Sequence, residues 1–103
     1  MILSRRQFLE SEKIKGYLNI SRKAGYLIIG GETLANYKKK LYLILYDRNA
    51  GNNTIKIVAK LQEKNIKCYE IEGLSQLISI PNCKIFGIKN KNISEIIESL
   101  LNK

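Results

Sequence analysis

Six consecutive apolar residues, Leu41-Tyr42-Leu43-Ile44-Leu45-Tyr46, constrain this chain more than any other feature in it. Successive side chains of a strand point to opposite faces. A run that is apolar at every position needs cover on both faces, which predicts a central strand buried between two helical layers. Around it, helix-like and strand-like segments alternate without repeats, linkers or low-complexity tracts, as expected of one α/β domain.

The remaining segments follow from periodicity and punctuation. The chain is expected to form a single domain over 1–103, in which residues 1–10 read as a short basic lead and 1–11 as an extra N-terminal segment. Ser11 is expected to cap a helix over 12–24, whose apolar stripe is Ile14, Tyr17 and Leu18 and whose end is Gly25. Residues 26–29 read as a short strand suited to antiparallel pairing at a sheet edge. Gly30-Gly31 breaks it, and a helix is expected through about Lys39. After the central strand, residues 47–53 (Asp-Arg-Asn-Ala-Gly-Asn-Asn) are turn formers. Asn52 or Asn53 is expected to cap a helix over 54–64, ended by Asn65. A strand over 66–71, a short helix over 74–79, a strand over 83–88 and a final helix capped by Asn92 complete the chain. In that last helix Ile93, Ile96, Ile97, Leu100 and Leu101 fall on one face, with Lys103 suiting its C-terminal dipole. The expectation is a three-layer α/β/α sandwich around a four-stranded mixed sheet, mainly parallel.

Charge directs attention to anionic partners. The chain carries 18 Lys and Arg against 9 Asp and Glu, net +9. Such an excess favours nucleic acid, although joint enrichment in Lys, Ile and Asn also fits an AT-rich genome. Residues 1–48 hold ten basic and four acidic groups, so the phosphate-binding cations are expected around 22–40, with a second contact at 78–82. No apolar run approaches the roughly 18 residues of a membrane span, and the N-terminus has no signal-peptide pattern. A cytoplasmic location is expected. With no histidine and only Cys68 and Cys83, no zinc site can be assembled from one chain. The two thiols read as reduced, buried spectators. Asp47, the sole Asp, has no His or second acid beside it in sequence and reads as a loop cap, not a catalytic group. Of the six tyrosines, Tyr46 is the one placed to face a functional loop. No enzyme activity, metal or cofactor is expected.

Several loop sequences carry a family resemblance. Lys13-Ile14-Lys15-Gly16-Tyr17-Leu18 with Arg22-Lys23-Ala24-Gly25, then Ile29-Gly30-Gly31-Glu32, the strand leading to Asp47 with Asn52-Asn53-Thr54, and Ile78-Ser79-Ile80-Pro81 stand in the order and spacing of one fold family. From about Lys13 to Leu101 the chain resembles the L-seven-Ae/L-thirty-e superfamily of ribosomal proteins, and its small bacterial YlxQ-like branch in particular. The resemblance implies a monomeric, non-enzymatic binder of structured RNA, either a kink-turn or ribosomal RNA. It implies RNA contacts at Gly30, Gly31, Glu32, Thr33, Asn36, Lys39, Ile78, Ser79 and Ile80. Kink-turn binders of the family read Gly-x-Asn-Glu-x-x-Lys at the helix entry. Matched from Gly30, this chain has Glu32, Thr33 and Asn36 at those three polar places, which implies weakened or retargeted kink recognition. The alternative is a protein-interaction adaptor on a ribonucleoprotein or translation factor. Some RNA ribose methyltransferases carry a similar fold as a substrate-binding domain; an enzyme is the least expected class, since a chain of 103 residues is not expected to hold a catalytic domain as well.

These residues also have a physical reading of their own. Two glycines at a helix entry bring unpaired N–H groups and close backbone approach, which suits phosphate. Glu32 accepts hydrogen bonds only. Lys38-Lys39-Lys40 is expected to close the same helix, where cations suit the C-terminal dipole and Lys39 can meet a phosphate. Ile78 and Ile80 flank Ser79 before Pro81, with one isoleucine expected to turn inward and the other free to pack on a splayed base.

Overall fold

The computed structural model describes residues 5–102, with side chains from Glu10 onward. Among these the order is α1 (Arg5–Ala24), β1 (Leu27–Ile29), α2 (Gly31–Asn36), β2 (Leu43–Asp47), α3 (Asn52–Glu63), β3 (Cys68–Ile71), α4 (Leu74–Ile78), β4 (Ile85–Ile88) and α5 (Lys91–Leu101).

The sheet runs β1-β4-β2-β3. β2 is central as its double-sided apolarity requires: Leu43, Ile44 and Leu45 are all at most 1% exposed. Leu43 and Leu45 join Phe86 and Ile88 in a core with Ile14 and Leu18 of α1, Leu74 and Leu77 of α4, and Ile97 and Leu100 of α5. Ile44 faces the other way and packs with Ile85, Leu34 of α2 and Val58 and Leu61 of α3. The result is three layers, with α1, α4 and α5 on one face and α2 and α3 on the other.

Strand direction differs from the mainly parallel expectation. Only β2 and β3 are parallel; β1–β4 and β2–β4 are antiparallel. β4 is inserted between β1 and β2 and runs against both, a choice that no local sequence signal encodes. The edge position and antiparallel pairing of β1 are as expected.

Helix ends also moved. α1 begins at Arg5, so Ser11 sits within it and is not a cap, and the segment 5–10 continues a helix of strong formers. Residues 1–4 of the expected lead, and Lys103, lie outside the described residues. α1 closes on Gly25 at φ 74°, with Gly25 N–H donating to Arg22 O and Tyr26 N–H to Ser21 O, the paired bonds of a Schellman motif. α2 stops at Asn36, so Lys38-Lys39-Lys40 lies beyond it in an irregular connection. Gly51 is the N-cap residue of α3, ahead of Asn52 and Asn53. α5 is capped by Asn90, not Asn92: the Asn90 side chain accepts from Ile93 N at 2.9 Å.

Gly87 sets the fit of α2 on the sheet. A Cβ there would stand 2.9 Å from Ile44 Cδ1, 2.9 Å from Leu34 Cδ2 and 3.3 Å from Leu41 Cδ2. The bare backbone of β4 lets the short α2 lie close, which fixes where the Gly30-Gly31 entry emerges.

Candidate nucleic-acid interface

The antiparallel β1–β4 pair brings two distant segments together. Ile29 pairs with Phe86, and Gly30 N–H donates to Ile85 O at 3.1 Å. The exit of β1 therefore lies beside the entry of β4, where the loop 79–84 arrives. Gly30 has φ 100°, a region that side chains rarely adopt, so glycine is required for the chain to turn there from strand into helix. Gly31 follows under α3, where a Cβ would stand 2.9 Å from Ile57 Cδ1. The first helical N–H bond is Leu34 to Gly30 O, so the N–H groups of Gly31, Glu32 and Thr33 open the helix. Glu32 and Thr33 are exposed. Asn36 is exposed too, and its Nδ2 donates back to Glu32 O at 3.1 Å.

The loop is tightly wound. Ser79 caps α4 at φ 59° and Asn82 has φ 59°, two left-handed residues that are not glycine within four positions. Such conformations cost on the order of 1–2 kcal/mol each for ordinary residues, less for Asn. They leave Ser79, Pro81 and Asn82 exposed. Ile78 is a correction: at 1% exposure it belongs to the core, as the last residue of α4, and cannot offer its side chain to a base. Ile80 is half-buried against the same core. Instead the carbonyl of Ile78 accepts from Arg22 Nη1 at 3.3 Å, which places an exposed guanidinium of α1 beside this loop. In the sequence Arg22 stands out only in the basic turn before Gly25 and in the 22–40 band; its long-range partner carries no local signal.

Lys39 stands apart from the Gly30 entry. Tyr42 N–H donates to Ile88 O, at the exit of β4, while Gly30 neighbours Ile85 at its entry. The connection after α2 thus runs to the opposite end of the sheet. Lys39 lines a groove there with Lys38, Lys40, Lys64 and Asn65. Lys38, Lys39 and Lys40 of the expected 22–40 band therefore lie away from the Gly30 entry.

Two cations near the Gly30 end, Arg48 and Lys84, are engaged. Arg48 reaches Glu72 at 3.3 Å and Glu70 at 3.8 Å, and Lys84 stands 3.5 Å from Asp47. Asp47 caps the loop as expected: its carboxylate accepts from Leu74 N and Asn49 N. Those backbone donors, Leu74 foremost, hold its carboxyl below the ordinary range against the opposing effect of burial. Tyr46 does not turn to the loop; it packs partly buried on the α2–α3 side. Burial pushes the Cys68 thiol up to about 11 and raises that of Cys83, so neither forms a thiolate readily. Among the described residues no helix is long and apolar enough to cross a membrane.

No known family model matches the chain, and no curated protein does. Among solved structures the chain is similar to a protein with unknown function from Bacillus halodurans C, with TM-score 0.78 and 20% identity over 88% of this chain and 98% of that one. That likeness supports the fold alone.

Proposed function

We propose that this chain is a non-enzymatic protein that binds structured RNA in the cytoplasm, in the manner of the L-seven-Ae/L-thirty-e superfamily it resembles. One observation carries the reading. Two segments some fifty residues apart, the Gly30-Gly31 helix entry and the wound loop of Ser79, Pro81 and Asn82, meet at one end of the sheet through β1–β4 pairing. The first offers backbone N–H groups for phosphate, and the second an exposed, rigid turn that can abut an unstacked base. Arg22 adds a cation beside the second, through its bond to Ile78 O. Glu32 and Asn36 stand where kink-turn binders carry Asn and Lys, so the reading assigns this end to an RNA bend other than, or more weakly than, the standard kink.

The adaptor reading has its own support in Ile29, which is 38% exposed on the edge strand of the same end. Capture from a cell lysate with and without ribonuclease separates the two. RNA binding predicts that the captured material is RNA, crosslinked through residues 30–33 and 79–82, and that ribonuclease abolishes capture of any protein partner. Proteins retained after ribonuclease, with no crosslinked RNA, would favour the adaptor.

A further inference from the structure

We infer that the groove between the irregular connection after α2 and the end of α3 is a second RNA site, one that holds backbone phosphates at the end of the sheet opposite Gly30. The ligand class rests on the RNA reading above, while the location does not. The groove has a volume of about 800 Å³ and is lined by Lys38, Lys39, Lys40 and Lys64 with no acidic residue. The ion pairs of the described residues engage Lys15, Arg48, Lys67 and Lys84. None of the four groove lysines is in one. Four uncompensated cations in one concavity repel each other, and an anion is what offsets that repulsion.

Their placement is set by the fold. Leu41, 4% exposed, anchors the connection in the core, and Tyr42 N–H pairs with Ile88 O. Lys38, Lys39 and Lys40 therefore leave a fixed, non-helical backbone, with the Lys40 ammonium 5.1 Å above the Tyr42 ring. Asn65, at φ 64°, turns the chain sharply after α3 and leaves Lys64 exposed across the groove. Lysine supplies point charge without the planar fork that reads guanine, so this site contributes affinity and not sequence choice. The length of β2 separates it from the Gly30 end by about 16 Å, at about 3.3 Å per residue. An RNA a few nucleotides longer than that span touches both.

The test measures binding of a labelled kink-turn RNA and of a straight RNA duplex of equal length, between about 50 and 200 mM salt. The proteins are the wild type, a chain with Lys38→Gln, Lys39→Gln, Lys40→Gln and Lys64→Gln, and a chain with Arg at the same four places. The Gln chain is expected to lose at least tenfold on both RNAs with their ratio unchanged, and its log–log salt slope should flatten by about 3, at about 0.7–0.9 per phosphate. The Arg chain should bind as the wild type does. Circular dichroism checks folding; if the Gln chain misfolds, Lys38→Gln with Lys39→Gln should show about half the slope change. Unchanged affinity and slope overturn the groove and leave the RNA reading standing. Loss on one RNA only overturns the claim that the groove meets backbone alone. If the wild type binds both RNAs equally and the Gln chain loses both, the groove stands and the Gly30 end is not the site of bend recognition. If the wild type binds neither RNA at low salt, both readings fall.

Discussion

The carboxylate of Asp47, at the C-terminal end of β2, accepts the backbone N–H of Leu74, the first residue of α4, at 3.0 Å. Its second oxygen accepts Asn49 N–H at 2.8 Å. One side chain, 5% exposed, thereby ties the central strand to both the following loop and the helix that leads into the Ser79 turn.

Replacing that carboxylate should be costly and pH-dependent. Asp47→Ala orphans the N–H of Leu74, itself fully buried, and is expected to cost about 2–3 kcal/mol. The Asp47 carboxyl is held low in the fold, so its contribution is fully present above the ordinary carboxylate range and is lost as pH falls through its depressed value. Urea midpoints of wild type and Asp47→Asn should therefore converge as pH drops toward 2. A constant gap from pH 7 to pH 2 would mean that the bonds, but not the charge, matter.

Tyr69 and Lys67 both hold Glu98 of α5, but unequally. The Tyr69 hydroxyl donates at 2.7 Å and Lys67 stands at 3.0 Å with its side chain largely in solvent. The tyrosine hydroxyl is the main cause that holds the Glu98 carboxyl low. Tyr69→Phe should raise that carboxyl toward its ordinary value, visible by NMR titration, and cost about 1–2 kcal/mol. Because the folded value is depressed, this stabilisation also disappears as pH falls through it. Lys67→Ala should move both quantities less, and a larger effect from the lysine would contradict the geometry.

Two glycines should respond with opposite sign. Gly16 lies within α1 and a Cβ there would meet nothing within 4 Å, so Gly16→Ala is expected to stabilise by about 0.5–1 kcal/mol. Gly87→Ala would crowd Ile44, Leu34 and Leu41 at once, and is expected to destabilise by about 1–3 kcal/mol. Denaturant midpoints at neutral pH decide both.

The helix entry can be returned to the family pattern. Glu32→Asn, Thr33→Glu and Asn36→Lys should together raise affinity for a standard kink-turn RNA at least tenfold, about 1.4 kcal/mol. Glu32 accepts but cannot donate, and Asn36 is tied back to Glu32 O. A straight duplex of equal length should gain little. Nanomolar binding of the kink by the wild type, unimproved in the triple variant, would assign recognition to the Gly30 and Gly31 backbone and the Ser79 loop.

The residues of the Gly30 entry were legible because glycine pairs and left-handed turns are local signals. Their meeting with residues 79–82 depends on β4 entering antiparallel beside β1, and Ile78 could not be told from Ile80 until α4 ended between them. The place of Lys39 depends on the same kind of pairing: a lysine run reads the same whether it closes a helix or crosses to the far end of a sheet.

By itself the sequence determined what period and composition control. These are the doubly buried centre of β2 at Leu43, Ile44 and Leu45, the apolar faces of α1 and α5, the stop at Gly25 and the net positive charge. Each is set by residues within a few positions of one another. Tertiary structure alone decided the strand order and directions, the burial of Ile78, the capture of Leu74 by Asp47 and the gathering of Lys38, Lys39 and Lys40 with Lys64. Those depend on pairings between residues far apart in the chain, whose energies belong to the packed whole and leave no mark on any short stretch of sequence.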